Sequence, residues 1–307
     1  MPYVRKNHLH MSSGEKAAFI GAVLAIKANG VYDQLVQIHI DRNGMDYKDK
    51  DGGLRIGHVD PGFLPWHRQF LLLFEQELQK INPMVTLPYW DWTTDNTVNS
   101  PLWRPSFMGG TGRSGDLAVR TGPFARQNGW VINTSVTPIG EPFLNGNYTV
   151  DTRDYLTREL GVNIDRLPTP KELQDTVNLS VYDEAPWSYT SGGQPPYNSF
   201  RNHLEGYVTF PWEPATAKLH SRGHRWVGGH MRYIASPNDP VFFMHHAQVD
   251  RIWTLWQEAH PDVPHYLPVE ETADVPSLHT KLAPWSTMSP ADLIDHKQWY
   301  IYEPSVG

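Results

Sequence analysis

Apolar positions recur along this chain with two helical signatures and one long interruption. Phe19, Ile20, Val23, Leu24 and Ile26 repeat at helical spacing behind Ser12-Ser13-Gly14-Glu15, which suits an N-cap with an acidic first turn, and Gly30 ends the run. A shorter helix is predicted over residues 32–40, with Leu35, Val36 and His39 on one face. Residues 42–57 are polar and glycine-rich and read as a loop that delivers His58. After the Pro61-Gly62 turn a helix is predicted over residues 63–80, with Phe63, His67, Phe70, Leu71, Phe74 and Leu78 in one stripe. From residue 93 to 196 glycine, proline, asparagine, serine and threonine dominate. Short strands such as 130–135 and a modest helix over 170–179 are all that this stretch predicts. Further on, His220 and His224 stand at i and i+4, and the Ser236-Pro237-Asn238-Asp239-Pro240 turn opens a helix running to about residue 260. Phe242, His246, Val249, Trp253 and Trp256 share one side of it, and the tail from residue 267 packs over the core.

Composition narrows the chemistry. The 307 residues are long enough for one large domain or two small ones, and 39% hydrophobic with 19% charged residues is ordinary for a soluble globule. A net charge of −7 without a basic stripe gives no sign of nucleic-acid binding. The absence of cysteine excludes disulfides, thiolate metal sites and cysteine nucleophiles, so any soft-metal site must use imidazole. The first residues lack an apolar signal region and no stretch reaches membrane-spanning length, so a cytoplasmic location is expected, with helper-assisted secretion left open. Fifteen histidines exceed what a core needs, which makes their positions the most informative feature.

A lone histidine on an apolar face is usually a packed one, and surface helices carry i, i+4 pairs by chance. Taken together, however, the positions form two sets: His39, His58 and His67, then His220, His224 and His246. An imidazole buried in an apolar stripe needs a partner, and a metal provides one. Three neutral nitrogen donors without a carboxylate suit copper or zinc and leave room for a small ligand; two such sets suggest a paired-metal site.

The segments FLPWHRQFLLLFEQEL and SPNDPVFFMHHAQVDRIW resemble the two copper signatures of type-3 copper proteins: the tyrosinases, catechol oxidases and haemocyanins. LPYWDW, LWRPSFMGGTGRSGD, FRNHLEG and WVGGHM resemble actinobacterial tyrosinases and o-aminophenol oxidases, and the likeness covers nearly the whole chain apart from residues around 141–157 and 207–217. The resemblance implies a mainly α fold over residues 1–307, one domain whose four-helix bundle holds a dinuclear copper site, with long irregular loops and few short strands. It implies two copper ions, one on each histidine trio, that activate O2 for a phenolic substrate, and it brings in a copper-delivery helper protein such as accompanies some actinobacterial relatives. Of His245-His246 the second matches the ligand, so His245 is expected to point elsewhere; His8, His10, His203, His230, His260, His265, His279 and His296 match no ligand position and read as surface or structural.

Glu205 matches the glutamate with which tyrosinases hold a water near the coppers, and Ser221 stands where most bacterial tyrosinases have asparagine. A single short hydroxyl cannot span the gap an amide spans. That departure favours oxidation of o-aminophenols or o-diphenols over hydroxylation of monophenols; the alternative is a true tyrosinase. Phe242 matches an aromatic that stacks near the site, and Arg225 a position at the pocket mouth where it would favour an acidic ring substituent or simply be solvated. A haemocyanin-like oxygen carrier needs a covering domain for which this chain has little sequence left, and a di-zinc hydrolase needs bridging carboxylates that neither trio contains.

Overall fold

A computed structural model describes residues 2–43, 57–136, 138–139, 149–187, 198–206, 217–272 and 275–304. Most of the loop expected over 42–57, and the segments around 141–148 and 207–216 that depart from the family likeness, lie outside the described residues.

Local rules start most of the helices. Helix α1 (Ser13–Ala28) opens on a capping box: the Glu15 N–H donates to Ser12 Oγ at 3.2 Å and the Ser12 N–H donates to Glu15 Oε2 at 2.8 Å. Gly30, at φ +82°, follows its end. Helix α2 (Val31–Asn43) runs three residues past its expected limit, because Asp41 accepts from Gln37 at i, i+4 and extends the last turn. Helix α3 (Phe63–Ile81) follows the predicted stripe. Helix α4 (Pro170–Val177) has its own capping box from Thr169 and Glu172. Helices α5 (Phe200–Glu205), α6 (Leu219–Val227), α7 (Val241–Ala259) and α8 (Pro290–Leu293) complete the α-helical order of the described residues.

Strand content is slight, as expected. β1 (Tyr3–Arg5) pairs in parallel with β4 (Tyr300–Tyr302), Tyr3 opposite Tyr300, and β2 (Pro138–Ile139) pairs antiparallel with β3 (Thr149–Val150). The strand expected over 130–135 does not form. Asn133 Oδ1 instead accepts from the Ser135 N–H and hydroxyl, which turns the backbone into a 3-10 turn at Thr134–Val136. The aromatic signal in that stretch belongs to packing: Trp130 is buried against Tyr32, ring centroids 4.7 Å apart, and donates its Nε1–H to the Asn238 carbonyl.

Helices α2, α3, α6 and α7 form a four-helix bundle, wrapped by the irregular segments. Its apolar floor is the stack of Phe74 on Phe243, with the edge of Tyr32 against both. A buried ionic knot closes the far side. Asp250 on α7 accepts from Arg68 Nε (2.5 Å), Tyr300 (2.5 Å) and Tyr302 (2.6 Å), while Arg5 bridges to Glu75 at 2.7 Å. The tail thus does more than cover the core: it ties both ends of the chain to α3 and α7. No described helix is long and apolar enough to cross a membrane.

Candidate metal centre

Each bundle helix brings an imidazole inward, and the backbone decides which nitrogen it presents. His39 on α2 donates from Nδ1 to the Ile234 carbonyl at 2.7 Å, and His67 on α3 donates to the Phe63 carbonyl one turn back at 2.9 Å. His220 on α6 donates to the Glu205 carbonyl at 3.0 Å and His224 to the Met231 carbonyl at 2.7 Å. A proton committed at Nδ1 leaves the Nε2 lone pair for a metal. The Nε2 atoms of His67 and His220 are buried with no protein partner, which is costly unless something else binds there.

Two clusters result. His39, His58 and His67 bring their ligand atoms within 4.8 Å of one another, and so do His220, His224, His245 and His246. The clusters adjoin: the His67 and His246 rings stack at 4.2 Å and 14°. Burial holds all seven imidazoles below their ordinary range, His39 at about 3 and His224 at about 4, so each is neutral near pH 7, the state a metal ligand needs. Seven neutral nitrogen donors, three in one cluster and four in the other, fit two copper ions.

His245 departs from its expected place. Its ring is fully buried, stacked on His220 at 5.2 Å and 4.7 Å from His224, with neither ring nitrogen hydrogen-bonded. Gly223 makes the room, since a Cβ there would sit 2.4 Å from the His245 ring. The i, i+1 pairing turns the ring away from the His246 face, but the missing side chain on α6 lets it lean back against the cluster.

The other expected site residues fall as follows. Phe242 is fully buried between the clusters, its ring 4.2 Å from His246 and 5.0 Å from His39. Glu205 is fully buried; its Oε1 accepts from the Val59 N–H at 2.6 Å and its Oε2 from Arg201 Nη1 at 2.8 Å. Burial pushes its carboxyl up to about 7, against the opposing pull of Arg201. The Ser221 hydroxyl donates to the Glu205 backbone carbonyl at 2.6 Å. Arg225 is buried, so the solvated reading of it does not hold. Among the unassigned histidines, His8 is buried against Asp95 at 2.7 Å and His230 accepts from the Thr157 N–H at 3.0 Å, both structural.

Sequence reading missed the carbonyls that orient the rings, because a carbonyl carries no residue signature. One faint signal existed in Gly228-Gly229. Both have positive φ, and a Cβ on Gly229 would meet the Thr157 carbonyl at 2.1 Å. That tight turn carries Met231 to His224.

A helical bundle with paired imidazole clusters defines a dinuclear copper protein. The family model for the common central domain of tyrosinase matches residues 29–259. Grixazone synthase of Streptomyces griseus is 62% identical over 99% of this chain and 100% of its own length, and a tyrosinase of Streptomyces glaucescens is 44% identical over 98% of both. A polyphenol oxidase structure from Thermothelomyces thermophila shares the fold at TM-score 0.71 and 20% identity, covering 99% of this chain and 89% of that one. The chain belongs to the tyrosinase family of type-3 copper proteins; it is a copper oxidoreductase that binds two copper ions and acts on phenolic substrates with O2.

Proposed function

We propose that His39, His58 and His67 hold one copper and His220, His224 and His246 the other, and that the enzyme oxidises o-aminophenols or o-diphenols to quinone imines or quinones with weak or no hydroxylation of monophenols. The observation that carries the substrate reading is the commitment of Ser221. Its one donor proton goes to the Glu205 carbonyl, and each Glu205 carboxylate oxygen accepts one hydrogen bond, from Val59 and from Arg201. No amide stands at that position to fix a water beside the carboxylate. The name of the 62% identical relative from Streptomyces griseus supports the same direction.

Bound copper supplies the electron transfer to O2. The chain's own share is narrower. An o-aminophenol or o-diphenol already carries both heteroatoms, so its oxidation removes two electrons and two protons and forms no new C–O bond. Phe242, fully buried with its ring 4.2 Å from His246, packs beside the imidazoles, and the Nε2 atoms of His67 and His220 are buried away from bulk water. A true tyrosinase is the second reading, favoured by a Glu205 carboxyl at about 7, near the optimum for a general base.

A substrate panel on copper-loaded protein separates the two. Turnover of o-aminophenol and catechol without a lag, with tyrosine slow, is the expected result; a fast, lag-free tyrosine reaction contradicts it. Ser221→Asn should raise the tyrosine-to-catechol ratio about tenfold, the worth of one well-placed hydrogen bond.

A further inference from the structure

The residue after His58 has an unusual backbone. Val59 sits at φ +55°, in the left-handed region that a β-branched side chain adopts only when its surroundings force it. What forces it is visible. The Val59 N–H, which belongs to the peptide bond shared with His58, donates to Glu205 Oε1 at 2.6 Å. Glu205 is in turn braced by Arg201, whose Nη1 donates to Oε2 at 2.8 Å and whose Nε donates to Asp183 at 2.7 Å; all three side chains are buried. The Glu205 backbone carbonyl meanwhile accepts from His220 Nδ1 and from the Ser221 hydroxyl. One residue therefore touches both clusters, by its side chain on one and its main chain on the other.

We infer that Glu205 is a positioning residue joining the two metal sites: its carboxylate holds the His58–Val59 peptide in the strained turn that aims the His58 ring, and its carbonyl fixes the His220 tautomer. This rests on the reading that His58 and His220 each serve one copper. It is a different task from holding a water, and the two separate by experiment. A water-holding carboxylate gains nothing from a change in the conformational freedom of residue 59, whereas a clamp on a strained turn becomes dispensable once glycine, indifferent to the sign of φ, stands there.

The test measures copper per chain and copper affinity in a metal buffer, with metal-free thermal unfolding as the check on folding. Glu205→Asp keeps the buried charge beside Arg201 but is one methylene too short for Val59. It should weaken binding of one copper about tenfold or more and leave the second bound, since the backbone carbonyl to His220 is untouched. Glu205→Gln keeps the length and an oxygen for the Val59 N–H and should lose less than Glu205→Asp. Adding Val59→Gly to Glu205→Asp should recover a substantial part of the lost affinity. The inference is overturned if Glu205→Asp binds two coppers as the parent does, if Glu205→Gln loses more than Glu205→Asp, or if Val59→Gly recovers nothing. His58→Ala runs alongside. If it too leaves both coppers in place, the assignment of the trio fails; if it loses one copper while Glu205→Asp loses none, only the positioning role fails.

Discussion

At the scale of single residues the chemistry is governed by which atom of each imidazole is already engaged. Four rings give Nδ1–H to carbonyls of Ile234, Phe63, Glu205 and Met231, and so arrive with Nε2 prepared. His67→Ala should remove one copper per chain and, through its stack on His246, weaken the other; metal analysis checks both. Burial also makes the protein acid-sensitive. His39 at about 3 and His224, His230 and His296 at about 4 lie below the free value of about 6.5, so the unfolded chain binds more protons through that interval. Stability of the metal-free protein is then complete above about pH 6.5 and declines as pH falls toward 4. Urea midpoints of metal-free protein at pH 7.5 and 5 should show the lower value at 5; equal midpoints would contradict this. The histidines were legible in the sequence because spacing and stripe single them out. Their tautomers were not, since those depend on carbonyls up to 195 residues away.

At the scale of elements the helices follow local rules, and local rules are what a sequence displays. Periodicity and caps placed α1, α3, α4 and α7 to within a few residues. Ser12→Ala should cost about 1 kcal/mol by urea unfolding, from loss of the capping box, while copper content stays at two per chain. The segment at 130–135 read wrongly for the complementary reason. Its β-like composition expresses Trp130 packing on Tyr32, and the turn chemistry of Asn133 wins over strand propensity where no strand among the described residues pairs with it.

The whole molecule is held by interactions between segments far apart in the chain. Asp250 collects Arg68, Arg5, Tyr300 and Tyr302, so the last strand, the first strand and two bundle helices meet at one carboxylate four residues from His246. Asp250→Asn leaves the buried Arg68 without its carboxylate and Arg5 with Glu75 alone, and should cost about 3 kcal/mol or more. Tyr302→Phe removes one hydroxyl from the same knot and should cost about 1–2 kcal/mol, with the unfolding midpoint as readout. No periodicity announces such a contact across 245 residues; the sequence pointed only to a tail that packs over the core.

An anomalous-diffraction map of copper-loaded crystals measures directly where the metals sit. The predicted result is two copper peaks about 3.5–4 Å apart, one against His39, His58 and His67 and the other against His220, His224 and His246, with His245 ligating neither. A single peak, or a second copper bound through His245 in place of His246, would contradict it.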